Sequence, residues 1–310
     1  MKHSNLSISL IERAAEIYDF GSGLRVDSLD ELPVEATPAA PAPERAIVAK
    51  AEIVRAEPAR AAPAPRQGAI ASVDRVALAE AGFILPDAPA TGLAEEFRII
   101  KRQLLLGARG QGNIAEDKRQ SILVCSASPD EGKTFCALNL ALSLASEKDV
   151  EVLLIDGDFG KPEILALLGI EAGPGLTDAI ADGHADAERF VIRTDLGGLS
   201  VLPAGGHANN VTELLASERT RAVLAGLIAG RPNRILIFDS PPALMASPAS
   251  VLATHVGQVM MVVRADRTSE ADLKEAVALL SGCKDLSLML NGAGFLSSGR
   301  RFGSYYGLGQ

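Results

Sequence analysis

Apolar and polar positions follow two rhythms along this chain, and their order predicts an α/β fold. Short apolar, β-rich runs occur at Ser121 to Ser126, Val150 to Ile155, Leu199 to Leu202, Ile235 to Phe238, Val259 to Val263 and Leu286 to Leu290, with helical patterns between them. Runs that stay apolar on consecutive positions suit strands buried on both faces. A mostly parallel sheet with helices on both faces is therefore expected, with ligands collecting beyond the carboxyl ends of the strands.

Outside this alternation the pattern changes twice. Leu6, Leu10, Ile11, Ala14, Ile17 and Tyr18 recur at helical spacing, which predicts a short amphipathic helix. Between about Leu32 and Gln67 the chain turns Ala/Pro-rich, with Pro at 33, 38, 41, 43, 58, 63 and 65, and loses the periodicity that repays ordering entropy. The expected organisation is an amphipathic region over 1–30, a disordered linker over 31–69, an α/β domain over 70–296 and a flexible tail over 297–310. Within the domain, Leu93, Phe97, Ile100 and Leu104 mark one face of a helix, with Glu95, Arg98, Lys101 and Arg102 largely off that face.

Composition narrows the class. The chain has 310 residues, 47% of them hydrophobic, yet only 4% are aromatic and none is Trp, so Leu, Ile, Val and Ala must fill the core. A net charge of -9 argues against nucleic acid as a partner, because affinity for phosphate backbones comes mainly from clustered Lys and Arg. Cys125, Cys136 and Cys283 show no CxxC pairing, which suits a reducing, cytoplasmic setting. No apolar run approaches the roughly 20 residues that span a bilayer, so any membrane role is expected to come through a partner.

Candidate chemistry gathers after three strands. Ser121 to Ser126 runs into Ala127-Ser128-Pro129-Asp130-Glu131-Gly132-Lys133-Thr134 and then a helical stretch from Phe135. This is the strand, loop and helix order of a phosphate loop: backbone N–H groups attract phosphates, Lys133 reaches the β/γ oxygens and the Thr134 hydroxyl binds magnesium. Ala127 departs from the common GxxxxGK[ST] pattern, which has Gly there. The next strand ends in Asp156-Gly157-Asp158 and a later one in Asp239-Ser240-Pro241-Pro242, bringing carboxylates suited to a Mg–ATP site to the same sheet edge. Each Asp alone is read as readily as a turn former; three sites at one edge form a constellation. At the other end of the chain, Tyr305 and Tyr306 sit in a Gly-rich, unpatterned terminus that can reach an active site. His3, His184, His207 and His255 lack ligand spacing and are given no role.

The trio SASPDEGKT, LLIDGDFGKP and ILIFDSPP resembles the Walker A, A′ and B motifs of the bacterial tyrosine kinase family. EEFRIIKRQLL, NNVTELLAS and the terminal GSYYGLGQ are similar to its exosortase-associated tyrosine autokinase branch. This resemblance covers roughly residues 70–310. It implies a P-loop NTPase fold, tyrosine autophosphorylation with ATP and Mg2+ on Tyr305 and Tyr306, and control of exopolysaccharide assembly. Pro129, Asp130, Glu131, Gly132, Lys133, Thr134 and Phe135 then hold the nucleotide, with Asn291 near the adenine. Lys133, Asp156 and Asp158 are the catalytic set, Asp156 being favoured as the base, and Thr134, Asp156, Asp158 and Asp239 surround the metal. The family's A′ motif usually continues with Arg, where this chain has Gly160 and Lys161, so Lys161 is the candidate for that positive charge. Glu95, Arg98 and Lys101 match a self-association motif whose last Arg is replaced by Lys. The implied partners are further copies of the chain in a ring, the cytoplasmic end of a separate membrane chain-length regulator that recruits it to the inner membrane, and a tyrosine phosphatase. Two other readings remain open on sequence: a partitioning or cell-division type P-loop ATPase, and an ATP-binding scaffold of a polysaccharide export complex.

Overall fold

The computed structural model describes residues 70–293, apart from 90, 112, 184–185 and 207–208. The amphipathic segment, the Ala/Pro-rich stretch and Tyr305 and Tyr306 lie outside the described residues. The described part opens with β1 (Ile70–Ala71), α1 (Arg75–Glu80) and the long helix α2 (Gly92–Ala108). There follow β2 (Ser121–Ser126), α3 (Lys133–Ala145), β3 (Glu151–Asp156), α4 (Ile164–Leu168), α5 (Leu176–Ala181), β4 (Ile192–Thr194) and β5 (Leu199–Leu202). The remaining elements are α6 (Val211–Leu215), α7 (Glu218–Ile228), β6 (Arg234–Asp239), α8 (Pro248–Ala253), β7 (Gln258–Arg264), α9 (Glu270–Leu279) and β8 (Leu286–Asn291).

Local signals explain several of these boundaries. Thr91 caps α2 by accepting the Ala94 N–H at 3.2 Å, with Glu95 in the first turn where the helix dipole favours an anion. Ser217 and Ser269 cap α7 and α9 in the same manner. Helix α4 ends at Gly169 in the left-handed conformation that glycine tolerates.

The strands form one sheet in the order β1-β4-β5-β3-β6-β2-β7-β8. Pairings from β5 across to β8 are parallel, whereas β4 pairs antiparallel with β5 and β1 pairs with β4. The six expected strands are all present to within a residue. The two short strands β1 and β4, too brief to carry a period, were not foreseen.

Side chains of the central strands divide by parity. Ile122, Val124, Val152, Leu154, Ile235 and Ile237 enter one core, which α2 and α3 cover with Phe97, Leu104 and Leu138. Leu123, Cys125, Leu153, Ile155, Leu236 and Phe238 enter the other, covered by α5, α7, α8 and α9. Both faces are thus buried, which is why these strands read as continuous apolar runs. Strand β2 lies between β6 and β7, and the chain leaves it toward β3 on one side while β7 and β8 build on the other. Such a reversal opens a crevice at the carboxyl edge of the sheet.

At the opposite edge Arg234 is almost fully buried. Its guanidinium meets Glu188 at 2.6 Å and the Leu227 carbonyl at 3.0 Å, and Glu151 lies 3.5 Å away. The Arg234 hydrogen bond holds the Glu188 carboxyl below its usual range. Removing one partner of such a pair leaves a buried charge uncompensated. Glu188→Gln is expected to destabilise folding by about 2–3 kcal/mol, less than a full pair loss because Glu151 and Leu227 remain. Urea unfolding near neutral pH checks this. Since the depressed carboxyl adds stability only above its unfolded value, the difference from wild type should shrink as pH falls below about 4.5.

Candidate functional site

The site grows from the link between β2 and α3. Asp130 and Gly132 both adopt positive φ, 60° and 92°, on either side of Glu131. Backbone of this kind turns successive N–H groups into a concavity for anions. A side chain at Gly132 would be strained at that φ and would also collide with Asn291. Gly132 is also the N-cap of α3 and offers no side-chain cap. The N–H groups at the start of α3 are consequently left for a ligand, at the end of the helix where the dipole attracts negative charge.

Ala127, the departure from the usual phosphate-loop pattern, is fully buried in the second core, and its carbonyl accepts the Leu244 N–H at 3.2 Å. Its methyl group serves as packing, so the loop proper begins at Ser128.

Lys133 turns its ammonium to Asp158, 2.8 Å away, and lies 3.4 Å from the Thr134 hydroxyl. Burial alone would lower its affinity for a proton, but Asp239 and Asp158 outweigh this and hold its value above the ordinary one. The three carboxylates differ in environment. Asp156 and Asp239 are register partners across β3 and β6, each only 1% exposed. Asp156 accepts the Asp158 N–H at 3.3 Å and the Ile164 N–H at 3.2 Å, one on each oxygen. Burial pushes its carboxyl up to about 6. Burial pushes Asp239 up to about 7, against the pull of Lys133 and a hydrogen bond from Thr134. Gly157 separates the two A′ aspartates because a Cβ there would stand 2.6 Å from the Asp239 carbonyl, which the Gly157 N–H already reaches at 2.7 Å.

A cavity of about 520 Å³ opens at this edge, lined by Gly132, Lys133, Thr134, Asp158, Lys161 and Pro241 among others, while Asp156 and Asp239 stay buried beneath it. Phe83, carried on the segment between α1 and α2, stacks against Phe135 with ring centroids 5.1 Å apart and also lines the cavity. Asn139 in α3 accepts the Ile84 N–H at 2.8 Å and holds that segment in place. Sequence patterning gave no sign of Phe83, because its partner lies 52 positions further on in sequence and the contact is made only by the fold.

The expected metal set fits magnesium unevenly. All four side chains, Thr134, Asp156, Asp158 and Asp239, present hard oxygen. Asp239 Oδ1 is buried with no hydrogen-bond partner, as an atom kept for a cation would be. Asp156 and Asp158 instead spend their oxygens on backbone N–H groups and Lys133. Among the described residues no three His, Cys, Asp or Glu side chains converge into a cage. Magnesium commonly takes one or two carboxylates and completes its shell with waters and substrate phosphates.

Three expectations change. Lys101, placed by its spacing on an exposed stripe with Glu95 and Arg98, is buried: its ammonium donates to the Ser143 carbonyl at 2.8 Å and pairs with Glu147 at 2.7 Å. The long lysine stem lets the charge snorkel across the first core to the end of α3. Only Glu95 and Arg98, paired with each other, remain toward solvent. The Glu131 side chain turns into the loop instead of toward the cavity, accepting the Ser128 N–H at 2.9 Å. Asn291, expected near the adenine, donates its amide to the Glu131 carbonyl at 2.8 Å. Lys161 does line the cavity, in an ion pair with Glu163 at 2.8 Å.

Fold and site together define a P-loop nucleotide-binding protein. No family model matches the chain. The tyrosine-protein kinase YwqD of Bacillus subtilis is 29% identical over 216 residues, 69% of this chain and 86% of YwqD. The putative tyrosine-protein kinase EpsB of Ralstonia nicotianae is 28% identical over 196 residues, 63% of this chain, which spans only 24% of EpsB. Among solved structures, the VpsO kinase domain shares 30% identity at a TM-score of 0.52, covering 64% of this chain and 98% of that domain. The chain belongs to the bacterial tyrosine kinase family. These matches do not single out its exosortase-associated branch.

The raised carboxyls set a sign for pH dependence. A carboxyl whose value rises on folding favours the folded state while protonated, so its contribution is full below about pH 4 and is lost as pH climbs through its folded value. For Asp156 and Asp239 that loss spans the region up to about 7. With chelator present and no nucleotide, the melting temperature of wild type minus that of Asp239→Asn should fall between about pH 5.5 and 7.5. Calorimetry showing a constant difference would contradict the burial argument.

Proposed function

We propose that the chain transfers the γ-phosphoryl group of Mg–ATP to protein tyrosine, with its own Tyr305 and Tyr306 as acceptors, in the service of exopolysaccharide assembly. The observation that carries this reading is the uncapped start of α3 beside Lys133 at the cavity, with the orphaned Asp239 oxygen buried at the end of β6, the neighbour of β2. Phosphates would rest on the N–H groups of Gly132 to Phe135, with Lys133 released from Asp158 toward the transferring group. Asp239 and Thr134 would hold the magnesium ion, whose charge lowers the barrier by neutralising the phosphate oxygens. Phe159, Pro242 and Met245 give the cavity an apolar flank that suits an incoming phenol ring.

In the transfer, the tyrosine oxygen forms a bond to the γ phosphorus as the bond to ADP breaks, and the phenolic proton passes to a carboxylate. Asp156 is the proposed acceptor, the role that the family resemblance implies for an A′ aspartate; it ends β3 two residues before Asp158, which reaches the cavity. Asp158 borders the cavity and positions Lys133. Positioning and charge stabilisation supply most of the rate in such reactions.

Further copies of the chain are the proposed source of the acceptor tail. Helix α2 leaves Ile99 and Leu106 about half exposed, and the edge strand β8 leaves Leu288 and Leu290 more so. These four apolar side chains line one groove, and an apolar surface of this kind marks an interaction site. No helix among the described residues is long and apolar enough to cross a membrane. Recruitment from the cytoplasm by a separate membrane chain-length regulator, and reversal by a tyrosine phosphatase, complete the proposal.

Purified protein incubated with Mg–ATP should gain phosphate on Tyr305 or Tyr306 by peptide mass spectrometry. Lys133→Ala should abolish it and Asp156→Asn should slow it at least about 100-fold, the scale of lost base catalysis. ATP hydrolysis with unmodified tyrosines would instead favour the partitioning-type ATPase. In light scattering, Glu95→Ala with Arg98→Ala should shift any oligomer toward monomer; an unchanged mass would exclude that face.

A further inference from the structure

Glu131 and Asn291 resemble nucleotide contacts in sequence, yet both spend their side chains on the phosphate loop itself. The Glu131 carboxylate, 2% exposed, accepts the Ser128 N–H at 2.9 Å with one oxygen and the Thr268 hydroxyl with the other. That hydroxyl also accepts the Arg264 N–H at 2.8 Å, so it is anchored to the end of β7. Asn291, at the end of β8, donates its amide to the Glu131 carbonyl at 2.8 Å and accepts the Ala265 N–H on its own carbonyl at 2.8 Å. Glu131 is therefore gripped at side chain and backbone, from the turn after β7 and from the end of β8. It is also the residue between Asp130 and Gly132, the two left-handed positions that give the loop its concave shape. A non-glycine residue such as Asp130 holds that conformation only where its surroundings over-determine it.

We propose that Glu131, Thr268 and Asn291 form a latch that fixes the phosphate loop from the β7 and β8 ends, so that Thr268 and Asn291 are positioning residues acting on the phosphates through the loop. This rests on the nucleotide-binding reading above and deepens it. With the latch closed, the loop N–H groups are pre-organised and binding need not pay to order them. With one bond lost, Glu131 keeps a buried oxygen or carbonyl unsatisfied and the two left-handed residues can relax. A second consequence separates the latch from a base contact. An Asn291 that touched adenine would matter only to ligands carrying a base, whereas a latch matters equally to a ligand that is phosphate alone.

The test uses the full chain and two probes with the same phosphate count, Mg–ADP and Mg–pyrophosphate, titrated calorimetrically. Thr268→Val and Asn291→Ala are each expected to weaken both probes about 10-fold, the effect of one hydrogen bond to a charged or constrained group. Thr268→Ser, which keeps the hydroxyl, should bind both within about 2-fold of wild type, a rescue that a general packing defect would not show. Should Thr268→Val fail to fold, the partly buried Asn291 position still decides the matter through Asn291→Ala. Loss of Mg–ADP affinity alone in Asn291→Ala would overturn the latch in favour of a base contact. Wild-type affinity for both probes in either Thr268→Val or Asn291→Ala would likewise overturn it. If wild type binds neither probe, the nucleotide reading fails first and the latch with it; if wild type binds and Lys133→Ala does not, the reading stands and the variants judge the latch separately.

Discussion

Helix α3 begins with N–H groups that no side chain of the protein caps, and much of the carboxyl edge of the sheet is arranged around that deficit. A helix start left open costs stability unless water or a ligand meets its donors. Here Gly132 takes the cap position with positive φ, and every residue from Cys136 to Ala145 is buried. The helix cannot tilt to relieve its open end because the first core holds it on all sides. The burial that fixes α3 thus keeps a positive dipole end aimed at the cavity.

Negative charge at the same edge is held under a comparable constraint. Asp156 and Asp239 end adjacent buried strands, and the fold keeps them close through register alone. Their burial opposes ionisation, while Lys133 favours it. A cation at this edge would relieve that cost, because it favours the ionised carboxylates that burial disfavours. Asp158 and Lys133 neutralise one another in the meantime. That pairing connects the phosphate loop to the A′ strand before any ligand is present.

Helix α2 shows how one element serves several purposes. Phe97 and Leu104 bury against the sheet, and Lys101 crosses the same face to cap carbonyl and carboxylate at the end of α3. The opposite flank keeps the Glu95–Arg98 pair and two half-exposed apolar side chains. A motif that reads as three charges on a stripe is therefore divided by the fold into one internal cation and one external pair. Family resemblance carried the spacing faithfully but not the direction of each side chain.

The amphipathic period of α2, the six apolar strand runs and the phosphate-loop context were legible in the sequence because each is a local pattern whose period matches its element. The Asp residues after β3 and β6 were legible for the same reason, since a strand that ends in Asp carries it to the sheet edge. What sequence could not supply were features made by residues far apart in the chain. Phe83 on Phe135, Thr268 on Glu131 and Asn291 on the Glu131 carbonyl join positions brought together only when β7, β8 and the segment before α2 pack around α3. Strands β1 and β4 had too few residues to show a period, and the burial of Lys101 depended on a partner 46 positions away at Glu147. The sequence by itself determined the elements and the chemistry each strand end would carry. Tertiary structure decided which of those groups face the ligand and which hold the loop, because a side chain's direction is set by the neighbours that compete for its hydrogen bonds.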